Sequence, residues 1–122
     1  MPKKSEDKVR LVSERILWLV TSGKSQPHLA PVWHIIHDGS IYVCTGLNSK
    51  KGRNISYNPQ VSFSLQDGVN PLIGEGKAVI IKENYPEAVI SAFKEKYDWN
   101  IRNDKTYDCL VKITPQKWLL GK

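Results

Sequence analysis

Apolar and polar positions alternate along much of the chain with a period of two, and three stretches interrupt that alternation. Val61, Phe63 and Leu65 alternate with Ser62, Ser64 and Gln66, the pattern of a strand with one face on a core. Strand-forming runs also occupy 16–22 (ILWLVTS), 28–37, Ser40–Thr45 (SIYVCT), 72–82 and 106–114 (TYDCLVKIT). Gly23-Lys24 and Asp67-Gly68 read as turns, and Asp38-Gly39 is a hairpin signal between the second and third runs. Pro27 and Pro31 predict that the second run starts at an edge or a bulge, because proline has no amide to give a ladder. Gly74 and Gly76 fit a bend where a sheet curls, and Pro115 closes the last run.

The three interruptions read as helices. Residues 5–15 carry Val9, Leu11 and Val12 on an apolar side that Ile16, just beyond, extends, with Ser5 as the cap and Glu6 and Asp7 in the first turn. Residues 46–58 (GLNSKKGRNISYN) read as a turn opening a short helix, which Asn58-Pro59 ends. Pro86 sits in the first turn of a third helix that runs to Tyr97. Six strands linked mostly by hairpins, with short flanking helices, predict a mainly β fold: an antiparallel barrel with peripheral helices. Its 122 residues form a single domain, 1–122, since a second would leave neither half with a core. A chain this short has little left to build a deep pocket alone, so a pocket shared between two subunits fits its size.

Charge changes the picture more than composition does. Eighteen basic and twelve acidic residues leave a net charge of +6, which favours anionic partners. Lys3, Lys4 and Lys8 lie in a charged N-terminus, whereas Lys50, Lys51 and Arg53 form a compact group in mid-chain. Nucleic-acid barrels interleave exposed aromatics with basic residues on one sheet face. Here the basic group sits in a helix-opening turn, so nucleic acid is not an expected partner. The early apolar run 16–20 is too short for a signal-peptide core or a membrane span, which predicts a cytoplasmic protein and no membrane partner. Cys44 and Cys109, far apart and each in an apolar run, read as two unrelated buried thiols, and no metal site is expected.

The segment Thr45 to Asn54 (TGLNSKKGRN) carries the chemistry. It follows a strand and opens a helix, with Ser49 placed to cap it. Free amides and the positive dipole end of a first turn attract anions. Lys50 and Lys51 add charge, and the Thr45 and Ser49 hydroxyls add directed hydrogen bonds. On spacing alone such a segment is more often just a solvated turn. Neither a P-loop nor a GxGxxG fingerprint is present.

Read together, PHLAPVWHIIHDGSIYVCTGLNSKKGRNISYNPQVSFSLQDG resembles the flavin-binding half of the pyridoxamine 5′-phosphate oxidase-like split barrels. The shared order is a Pro-His, a Pro-Val-Trp strand, an Asp-Gly hairpin and a strand ending in threonine. A Ser-Lys-Lys segment opening a helix, an Asn-Pro and a Val-Ser strand follow. GEGKA (74–78) and ITPQKW (113–118) resemble the later strands, so the similarity spans 16–118. It implies a six-stranded antiparallel split β-barrel and a homodimer that holds FMN at its interface. The phosphate would lie on Thr45, Ser49, Lys50 and Lys51, with Asn54 as a further contact. Val32, Trp33 and His34 would lie along the isoalloxazine ring, partly through backbone groups, and Trp118 would cover it from the other subunit.

The implied activity is oxidoreduction of a small molecule. The flavin carries the hydride and no catalytic side chain is assigned. The alternatives within the resemblance are a reductase using the deazaflavin coenzyme, and a flavin- or haem-binding protein without turnover. Haem would need His28, His34 or His37 as axial ligand. Oxidation of pyridoxamine phosphate itself is not expected. The true oxidases carry an Arg-x-His-x-Arg-like segment near the C-terminus, where this chain has Trp118-Leu119-Leu120-Gly121-Lys122, and an arginine where it has Ala30-Pro31.

Overall fold

A computed structural model describes residues 1–120; Gly121 and Lys122 of the tail discussed above lie outside them. The chain forms α1 (Ser5–Ser13), β1 (Leu17–Thr21), β2 (His28–Val32), β3 (His34–His37), β4 (Ser40–Thr45), α2 (Lys50–Tyr57), β5 (Gln60–Leu65), β6 (Ile73–Ile81), α3 (Glu87–Tyr97), a 3₁₀ turn (Ile101–Asn103) and β7 (Cys109–Leu120). All strands join one antiparallel sheet in the order β2-β1-β5-β6-β7-β4-β3.

That order explains why seven strands appear where six are expected. β2 and β3 stand at opposite ends of the sheet, yet only Trp33 separates them in the chain. The sheet must therefore curl until its two edges are nearly collinear, and the predicted run 28–37 is one strand shared between both ends. Trp33 marks the seam of the barrel. The expected mainly β, antiparallel split barrel with short flanking helices is thus present.

Three other details depart from expectation, the first being that Pro86 is the N-cap of α3 and not a residue of its first turn. Ser5 is the first helical residue rather than the cap; Lys4 holds the cap position with no side-chain bond, and α1 ends at Ser13, short of residue 15. β7 does not stop at Pro115 but continues to Leu120. Its pairing with β4 ends at Ile113, and Pro115 faces Gly76 next to a register shift in the β6 pairing. The missing proline amide therefore falls where the ladder is already irregular.

The sheet buries apolar side chains on both faces. Leu17, Leu19, Ile41, Val43, Val61, Phe63, Leu65, Val111 and Ile113 fill the concave side, where Leu11 of α1 and Ile55 of α2 join them. On the other side Ile35, Tyr42, Cys44 and Leu110 pack against Val89, Phe93 and Tyr97 of α3. β4 lies between both layers, so all six of its residues are buried. Cys44 pairs with Leu110 and Cys109 with Thr45, which points the two free, buried thiols to opposite faces.

The end of α3 closes the seam. The Tyr97 hydroxyl accepts from the His34 amide (3.0 Å) and shares its proton between the carbonyls of Arg15 (2.7 Å) and His34 (3.1 Å). Lys96 Nζ donates to the carbonyls of Val12, Glu14 and His34 at 2.8–2.9 Å. Backbone groups at the strand break and at the end of α1 are thereby satisfied.

Candidate functional site

The turn between β4 and α2 is built as the sequence suggests. Ser49 is the N-cap: its Oγ accepts from the Gly52 amide (3.2 Å) and donates to the Gly46 carbonyl (2.6 Å). With that proton committed, the 3.0 Å contact between Thr45 Oγ1 and Ser49 Oγ has threonine as donor. Both hydroxyls are thus spent on shaping the turn. The amides of Lys50 and Lys51 in the first turn have no partner among the described residues and remain available to an anion.

The two lysines diverge, because consecutive helical residues point about 100° apart. Lys51 lines a cleft of ≈ 390 Å³ together with Pro31, Val32, Trp33, Cys44, Trp99, Asp104 and Tyr107. Lys50 turns to the β1–β2 loop and donates to Ser25 Oγ at 2.9 Å. Asn54 is buried, its Nδ2 on Thr21 Oγ1 at 3.1 Å. It positions α2 against β1 rather than reaching the cleft.

Of the residues expected along a flat ring, Val32 and Trp33 line the cleft. Trp33 stacks on Tyr97 with centroids 4.6 Å apart and planes 5° from parallel, yet remains 45% exposed. His34 is not brought to the cleft. Its Nε2 donates to the Leu11 carbonyl at 2.7 Å, and its own amide and carbonyl are taken by Tyr97 and Lys96. Burial, with Lys96 nearby, pulls its pKa down to about 4, so it is neutral near pH 7. Trp118, on β7 beyond the bulge, packs edge-on against Phe63 (5.5 Å) and does not line the cleft within one protomer. His28 and His37 lie at strand ends and are absent from its walls.

The sequence reading missed the far wall. Trp99, Asp104 and Tyr107 come from the connection between α3 and β7, which folds beside the β4–α2 turn: Asp108 Oδ1 accepts from the Leu47 amide at 2.8 Å. Two aromatics in a connector that is polar apart from Ile101 (WNIRNDKTY) were the available signal. Trp99 contacts Trp33 and Tyr107 edge-on at 5.7 and 5.6 Å, with both pairs of planes at 81°. The volume falls within the range of about 300–1,000 Å³ typical of ligand pockets. One ammonium at the N-terminal end of α2 and three aromatic rings suit a ligand with an anionic group and a flat body.

A family model described as pyridoxamine 5′-phosphate oxidase matches residues 4–120. Among solved structures, the conserved hypothetical protein Rv2991 of Mycobacterium tuberculosis is 28% identical, with 97% of this chain and 85% of that one covered and a TM-score of 0.75. The haem storage protein HutZ of Vibrio cholerae is 19% identical over 99% of this chain and 98% of that one, with a TM-score of 0.76. An F420 reductase is 20% identical over 97% and 98%, with a TM-score of 0.73. The likeness to these last two is one of fold. No curated protein matches the chain in sequence.

Proposed function

The chain belongs to the pyridoxamine 5′-phosphate oxidase family, and on that premise we propose that it binds FMN in the Lys51 cleft and acts as a flavin-dependent oxidoreductase on a small molecule in the cytoplasm. The observation that carries this reading is the meeting of the Lys51 ammonium, at the N-terminal end of α2, with aromatic walls in one cleft. Lys51 and the first-turn amides of α2 hold the phosphate as a point charge and as directed donors. Thr45 and Ser49 keep the turn in shape, Lys50 adds long-range charge, and Asn54 anchors the helix. Val32 and Trp33 flank the ring, and Trp118 of a second protomer covers it in a homodimer. FMN, when bound, supplies the hydride chemistry; the side chains orient it and limit water.

A deazaflavin coenzyme is the second reading, favoured by the likeness to the F420 reductase, and the same donors suit it. Haem storage, the property named for HutZ, fits less well because no histidine lines the cleft. Absorbance of the protein as isolated, followed by denaturation and identification of the released chromophore, tests the choice. Flavin bands and free FMN are expected. A Soret band, a deazaflavin spectrum, or no thermal shift with added FMN overturns the assignment.

A further inference from the structure

Lys51 and Asp104 line the same cleft and form no ion pair among the described residues. Each faces the space as an uncompensated charge. The Asp104 carboxylate is held in place by three donors: the amides of Tyr107 (2.8 Å) and Thr106 (2.9 Å) on Oδ1, and Trp99 Nε1 (3.0 Å) on Oδ2. These bonds, led by that of Tyr107, keep it below the usual carboxylate range and so ionised at neutral pH. Arg102, two residues away, is engaged with both oxygens of Glu87 at 2.8 Å and is not its counter-ion.

Around this fixed negative charge stand the rings of Trp33, Trp99 and Tyr107. Trp33 and Tyr107 are each 45% exposed. Aromatic faces beside a carboxylate attract cations through their quadrupole and through direct charge. Once the lysine is committed to a cofactor phosphate, the charge left over in the cleft is negative.

We propose that the cofactor-loaded cleft selects a planar cation carrying no phosphate of its own, with Asp104 as its counter-charge and Trp99 and Tyr107 as its π surfaces. This assignment of substrate class rests on the cofactor reading above. A second phosphate is disfavoured twice over, by the occupied lysine and by the carboxylate.

The test titrates FMN-loaded protein, isolated by gel filtration, with 1-methylnicotinamide and with uncharged nicotinamide, reading tryptophan and flavin fluorescence. The cation should bind about tenfold more tightly than its neutral counterpart, a ratio that corresponds to roughly 1.4 kcal/mol. Asp104→Asn, which keeps an oxygen for the Thr106 and Tyr107 amides, should abolish the preference while FMN affinity is retained. Asp104→Glu, which keeps the charge, should preserve it. Retained FMN with equal affinity for both probes, or a preference that survives in Asp104→Asn, overturns the proposal alone. Failure of the wild-type protein to retain FMN overturns the cofactor assignment and this one with it.

Discussion

At the scale of single residues, adjacent side chains in the helix-opening turn have different tasks. Lys51 faces the cleft and Lys50 reaches Ser25, so removing them should have unequal effects. Lys51→Ala is expected to weaken FMN binding by about 1.5–3 kcal/mol, the size of a charge-assisted hydrogen bond. Lys50→Ala should cost less than about 1 kcal/mol, as for an exposed charge. Isothermal titration of the two variants decides it, and equal losses would place the phosphate between the lysines. The sequence showed that cations gather at this turn but not which one points inward, because helical rotation becomes visible only once the first helical residue is known. His34 carries a different lesson. Its folded pKa, lowered from 6.5 to about 4 by burial and then by Lys96, means that the unfolded chain takes up the proton more readily between those values. Its contribution is complete above pH 6.5 and declines as pH falls toward 4, by roughly 2–3 kcal/mol at pH 4.5. Urea unfolding at pH 7 and pH 4.5 should show a larger loss for the wild type than for His34→Gln. Parallel losses would mean that other groups dominate the acid limb.

At the scale of elements, alternation and turn signals located nearly every strand and helix, because those patterns are local. What escaped them depends on partners distant in sequence. The break at Trp33 exists because the sheet curls back on itself, and β7 passes through Pro115 because β6 shifts register there. The wall of Trp99, Asp104 and Tyr107 lies in an irregular connection whose path is set by contacts such as Leu47 with Asp108, so no periodicity marks it. α2 shows how tightly the site is built into its element. A Cβ at Gly52 would collide with the Gly46 carbonyl and come within 2.5 Å of the Leu47 carbonyl oxygen. Both are backbone atoms of the turn that the Ser49 cap holds. Gly52→Ala should therefore destabilise the fold by about 1–3 kcal/mol through overpacking and weaken FMN binding as well, since the turn must open to admit the methyl group. Thermal melting with and without FMN measures both effects. A variant that melts like the wild type and binds FMN equally well would show that the turn yields without cost.

At the scale of the whole molecule, the strand shared between both edges of the sheet brings them together at Trp33, and the end of α3 closes that seam. Trp33, at that seam, shows one face to Tyr97 and is 45% exposed. The cleft beside it is walled by the first turn of α2, the ends of β2 and β4 and one connection, too little to enclose a tricyclic ring from all sides. Trp118, meanwhile, packs on Phe63 outside the cleft of its own protomer. A second copy that brings its β7 region over the first cleft would cover the ring and raise the effective field of Lys51 by excluding water. The expected species is accordingly a homodimer of twice 13.9 kDa, more stable when FMN is bound, because a ligand held by both protomers favours association by mass action. Sedimentation equilibrium at several concentrations, with and without FMN, measures this. Trp118→Ala should weaken FMN binding if that side chain covers the ring, whereas a monomer that binds FMN as tightly as the wild type would show that one protomer completes the site alone.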